Sequence, residues 1–250
     1  MKYLILFIAQ SYILLTINVS TAVAQKEMAL EPALLKNSAP MLAKPKGIGT
    51  VTKYQFGPYK IASGKAGLNV TKSTSSIFSA TTESSSKNKL SFVFVKDEKD
   101  SVVVNVSVNT NSSELNSQFF PGWSAVNERQ ENYIAIFSIP DDTATWRMII
   151  ANLEGMNKKG SDHFDGLLTD GRVILQMKEV NEWNTGKKGM MGLPLGHTFH
   201  LEGDPIAAVQ ASEDTFVKKT VWIRQDLDPK LQLILAAASA AMMVRSEPGE

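Results

Sequence analysis

Short hydrophobic runs with a period of two, separated by turn residues, predict a mainly β protein: an antiparallel barrel or sandwich of about 10–12 strands. A second observation completes the fold class. The carboxy-terminal run Leu231-Gln232-Leu233-Ile234-Leu235-Ala236-Ala237-Ala238-Ser239-Ala240-Ala241-Met242-Met243-Val244 has almost no polar face, and a helix apolar all round is buried all round. The third observation is size. A chain of 250 residues, 43% of them hydrophobic, can enclose one sizeable core.

The amino terminus reads as an export signal. Lys2 precedes an apolar run from Leu4 to Leu15, and small residues follow up to Ala22-Val23-Ala24, the A-x-A pattern of signal peptidase sites. The run is short of the roughly 20 apolar residues that a membrane span needs. Residues 1–24 are therefore expected to be a signal peptide, with a mature chain starting at Gln25 that is periplasmic, envelope-associated or secreted. Lipoprotein attachment is excluded, because it needs a cysteine and the chain has none. The same lack removes disulfides, thiol nucleophiles and thiolate metal sites.

Residues 25–47 carry Pro32, Pro40 and Pro45 among Ala, Leu and Lys, which predicts a linker with one helical turn around Met28 to Leu35. A single β-rich domain is expected over 48–250. Its clearest hairpin pairs Leu90–Val95 with Val102–Val108 through Lys96-Asp97-Glu98-Lys99-Asp100, the apolar side chains falling at alternate positions. Further strands are expected at Thr50–Phe56, Ser76–Thr82, Tyr133–Ile139, Thr145–Ala151, Arg172–Val180, Thr198–Leu201, Ile206–Gln210 and Thr215–Arg224. The helix is expected over about 229–244, capped by Asp228 and started by Pro229.

A β-rich domain closed around a hydrophobic terminal helix resembles the tubby carboxy-terminal-like superfamily, which includes the LURP-one-related and scramblase-like proteins. The residues that carry the resemblance are the hairpin Thr198–Gln210, the strand Lys219-Thr220-Val221-Trp222-Ile223-Arg224, the connection Gln225-Asp226-Leu227-Asp228-Pro229 and the helix after it. The resemblance is architectural, rests on no specific motif, and would cover Ile48 to about Arg245. It implies a barrel of about twelve strands around a central helix, and a theme of membrane-lipid binding. Here Lys158-Lys159, Lys187-Lys188 and Lys218-Lys219 are isolated pairs, so headgroup recognition is not carried onto named residues.

Charge is balanced, with 26 Lys and Arg against 25 Asp and Glu, which argues against nucleic acid as a partner. Nucleotide enzymes are argued against by missing motifs: there is no phosphate loop and no complete dinucleotide fingerprint. A G-x-S-x-G elbow is also missing. No cofactor is expected.

Two sets of residues remain as candidate sites. Trp183 beside a Gly-rich loop, with Met190, Met191 and Leu193, is the candidate surface for a lipid or other apolar ligand, since indole and thioether side chains adapt to apolar partners. A metal-dependent hydrolase would use His163, His197 or His200 with Glu202. On a strand His197 and His200 point to opposite faces, so only His200 and Glu202 share a side; the bland alternative makes both surface histidines. Asp162, Asp165, Asp170 and Gly171 read as turn residues. The expected function is a non-catalytic binding or envelope-interaction module, with the hydrolase and an assembly protein pairing through sheet edges as alternatives.

Overall fold

A computed structural model describes residues 26–46, 51–67, 70–75, 82–109, 130–140, 142–153, 166–189, 194–212 and 217–245. They form a mainly β molecule: strands β1 (Met41–Leu42), β2 (Lys44–Lys46), β3 (Lys53–Phe56), β4 (Tyr59–Ala66), β5 (Val70–Ser75), β6 (Thr82–Lys96), β7 (Asp100–Asn109), β8 (Gln130–Ser138), β9 (Thr145–Leu153), β10 (Gly166–Thr169), β11 (Ile174–Val180), β12 (Gly196–Leu201), β13 (Asp204–Gln210) and β14 (Thr220–Ile223), with helices α1 (Pro32–Asn37) and α2 (Pro229–Arg245). The strands make one antiparallel sheet in the order β1-β14-β13-β12-β11-β10-β9-β8-β7-β6-β4-β3-β2, and β5 pairs β6 off this path.

The two ends of that path are neighbours in the chain. β1 pairs β14 and β2 pairs β3, and only Ala43 separates them. Its amide donates to the Lys219 carbonyl at 2.9 Å. One extended segment thus spans the gap and gives a nearly closed barrel. With β1 and β2 taken as one broken stave and β5 left out, about twelve staves surround the interior, within the usual range for barrels that close their own edges.

Alternation along the staves decides what fills it. Tyr54 and Phe56, Phe92 and Phe94, Val102, Val104 and Val106, Tyr133, Ala135 and Phe137, and Val221 and Ile223 all point inward and pack with α2. The rings of Phe56, Tyr59 and Phe94 lie with centroids 5.8–6.0 Å apart. α2, about 25 Å long at 1.5 Å per residue, is the axle of this core, touching β7 and β8 on one side and β13 and β14 on the other. Leu233 to Met243 are all buried. Alanine at 236, 237, 238, 240 and 241 lets the strands approach from every direction, and Ser239 satisfies its hydroxyl by donating to the Leu235 carbonyl at 2.8 Å.

The helix starts as its sequence dictates. Asp228 Oδ1 accepts from the amides of Lys230 and Leu231 at 2.9 and 3.3 Å, filling orphan donors of the first turn. Its far end is tied by Tyr133 Oη, donating to Ala241 O at 2.7 Å, and by Lys219 Nζ, donating to Met243 O at 2.9 Å.

Residues 26–38 are not a linker. They lie as a strap across the outer wall of β13 and β14, where Met28 and Leu34 meet Leu195, Ala208 and Trp222 in a second apolar cluster. Two apolar anchors six residues apart among prolines have no period, and only the wall they meet explains them. The expected strand Ser76–Thr82 lies almost wholly outside the described residues, whereas β4, β5 and β10 were not expected at all, and β1 and β2 fall within the expected linker. The expected export signal, residues 1–24, also lies outside them.

Candidate functional site

Because every neighbouring pair of strands is antiparallel, the connections divide between two rims. One rim has short turns at 57–58, 97–99, 139–144, 170–173 and 202–203, and α2 enters there. At the 170–173 turn Asp170 Oδ1 accepts from the amides of Arg172 and Val173 at 2.9 and 2.8 Å, so Asp170 and Gly171 are turn residues. At the other rim lie the strand ends that the longest intervening segments, 110–129, 154–165, 181–195 and 211–219, join; of these segments 181–189, 194–195, 211–212 and 217–219 are among the described residues. Trp183 lies at this rim, and His200 and Glu202 lie toward the other.

Trp183 belongs to the long-connection rim. Its amide donates to Lys187 O at 2.8 Å and its carbonyl accepts from Gly186 at 2.8 Å, a turn that Gly186 closes at φ 75°. The strap runs alongside: Ala29 donates to Glu182 O at 2.7 Å, Asn184 donates to Glu27 O at 2.9 Å, and Met28 bridges Trp183. The ring is half-buried against the outer cluster, with the Lys26 ammonium 6.0 Å from its centroid. Met190, Met191 and Leu193 lie outside the described residues.

Beneath the strap, Gln210 acts as a clamp. Its Oε1 accepts from the Met28 amide at 2.7 Å, and its Nε2 donates to Lys218 O at 2.9 Å and Lys26 O at 3.4 Å. Gly196 allows the close approach: a Cβ there would stand 2.0 Å from Val209 O and 2.9 Å from Met28 Sδ.

Of the two described histidines, His200 lies toward the short-turn rim and His197, opposite Glu179 and Val209, lies at the other end of β12; both differ from the expectation. His200 is 1% exposed, not a surface residue, and His197 is buried as well. Glu202 occupies the left-handed first position of the β12–β13 turn, φ 52°, and is exposed. It does not share a site with His200. The carboxylate beside His200 Nε2 is that of Glu31, at 3.7 Å, brought by the strap. His200 Nδ1 donates to Gly203 O at 3.2 Å, and in the neutral ring Nε2 accepts from Thr198 Oγ1 at 2.9 Å. Both nitrogens are engaged within the fold, and among the described residues no group of three His, Asp or Glu could hold a metal ion. His163 lies outside the described residues.

Sequence reasoning missed Glu31, Gln210 and Thr198, which have no local pattern because their partners are distant in the chain. Trp146 and Trp222 are both buried. No family model, curated protein or solved structure matches this chain.

Proposed function

We propose that the protein is an exported, non-catalytic binding or envelope-interaction module whose ligand surface is the long-connection rim around Trp183. The observation that carries this reading is the division of the rims: α2 fills the interior, the strand ends joined by the longest segments of chain share one end of the barrel, and binding residues concentrate on such connections. Trp183 supplies an apolar face there, held in place by the strap and next to a cationic side chain, which suits a lipid or another apolar ligand with a polar end. The architecture of staves around an apolar terminal helix supports the resemblance to the tubby carboxy-terminal-like superfamily.

One observation favours a second reading, that of an assembly protein. Among the described residues β5 pairs only β6, which leaves a strand edge that another chain could extend.

Native mass spectrometry of the chain purified gently from producing cells separates the two. The binding reading expects a lipid-sized adduct that is retained by the parent and lost in Trp183→Ala. A bare monomer contradicts both readings, and a bare oligomer favours assembly. The same spectrum reads the amino terminus, expected at Gln25; retention of Met1–Ala24 contradicts cleavage.

A further inference from the structure

Lysines that look scattered in the sequence share one wall of the barrel, away from Trp183. On β2, Pro45 lies opposite the inward Tyr54, so Lys44 and Lys46 face outward with Gln55 and Lys53 of β3. On β4 and β6, Lys65 stands opposite Ser91, and Lys89 lies two residues along from Ser91 on the same outward side. Lys44, Lys46, Lys65 and Lys89 are exposed and Lys53 is half-exposed. Among the described residues none of these five has an ion-pair partner, whereas Lys60 on the same wall is neutralised by Glu98 at 2.5 Å. Lys46 and Lys53 are directly opposed across β2 and β3, an arrangement in which like charges repel and which an anion would relieve.

We infer that this wall, the outer face of β2, β3, β4 and the adjoining part of β6, binds an anionic polysaccharide. Charge complementarity requires a polyanion, and three features of the wall select its class. Ser63 and Ser91 stand among the lysines, offering hydrogen bonds of the kind sugar hydroxyls use and nothing to insert among acyl chains. The aromatic residues of these strands, Tyr54, Phe56, Tyr59, Phe92 and Phe94, all point inward, so no platform faces outward on which bases could stack. The wall is the convex side of a barrel, which a flexible chain can follow across several staves while a flat bilayer meets few of them. Lysine point charges without bidentate arginines suit a repeating charge.

The test titrates the full chain with labelled heparin and labelled polygalacturonate between about 50 and 200 mM salt. At least one polymer should bind, more weakly as salt rises, with the sulfated or carboxylated preference naming the source. Lys46→Glu/Lys53→Glu/Lys65→Glu should weaken binding by about tenfold or more. Lys187→Glu/Lys188→Glu, on the Trp183 connection, should stay within about twofold and so separates this wall from the ligand surface proposed above. Lys65→Ser/Lys89→Ser gives a milder second reading if the triple variant melts early. Unchanged binding in both wall variants overturns the proposal, as does failure of both polymers to bind. Tighter binding to duplex DNA, or to vesicles of phosphatidylcholine and phosphatidylserine at about 4:1, would assign the wall to a different partner.

Discussion

The inside of the barrel and the outer wall under the strap are both dry and tightly packed, yet they are built in different ways. Inside, each strand contributes alternate residues to one shared core, and α2 contributes its whole circumference. Under the strap, five buried residues from the segment at 26–38, the connection before β12, β13 and β14 meet in a small cluster, fixed by one buried glutamine whose partner amide is 182 positions away. The interior therefore depends on periodicity and should fail as a unit. The strap depends on a few long-range contacts and should open by itself.

The largest expected effect is at the axle. Ala237 is fully buried, so Ala237→Asp places a carboxylate where no partner awaits it, at a cost of several kcal/mol, comparable with the whole stability of a domain. Soluble expression should collapse and the cooperative melt should disappear; an unchanged melting curve would refute burial of α2. Leu34→Ala should cost about 2–4 kcal/mol, but locally. Amides of 26–38 should lose protection while β7 and β8 keep theirs, and equal losses in both places would end the distinction between the two regions. Gln210→Ala should act in the same direction by about 1–3 kcal/mol, leaving the Met28 amide without its acceptor.

Acid should act weakly and at the short-turn rim. The Lys60 ammonium holds the Glu98 carboxyl below its ordinary value, and the Arg224 guanidinium does the same for Asp226. A depressed carboxyl contributes stability above its unfolded value and loses it as pH falls through the folded one, so these pairs matter at neutral pH and fade below about pH 4. Since both are exposed, Asp226→Asn should flatten the acid limb of a melting-temperature profile only slightly; a shift at pH 7 as large as that of Leu34→Ala would contradict this. The smallest effect is a gain. Glu202 and Gly203 both have positive φ, 52° and 92°, and Asn tolerates that turn position better than Glu. Glu202→Asn should stabilise by about 0.5 kcal/mol, read as a small rise in melting temperature.

What the sequence made legible follows the same division. The hairpin of β6 and β7 shows in the alternation of Phe92, Phe94, Val102, Val104 and Val106, and α2 shows in its apolar circumference and in the cap at Asp228, because these signals are local. Strand β10, Gly166–Thr169, was hidden by Asp and Gly residues on both sides that suggested turns alone. The strap escaped because Met28 and Leu34 have meaning only against Trp222 and Leu195. His200 escaped for a related reason: alternation correctly separates it from His197, but nothing local reveals that Glu31 of the strap lies beside it. The lysine wall is the clearest case of information held by the fold, since residues 44, 46, 53, 65 and 89 form no run and meet only when the staves line up.

Hydrogen exchange followed by mass spectrometry on the intact chain tests the account most directly. Peptides from α2 should exchange only when the whole barrel unfolds, with peptides from 26–38 exchanging at a lower free energy and β7 tracking α2. Exchange of α2 as fast as that of the strap would contradict a helix threaded through a nearly closed barrel, and with it the assignment of ligand binding to the outer surfaces.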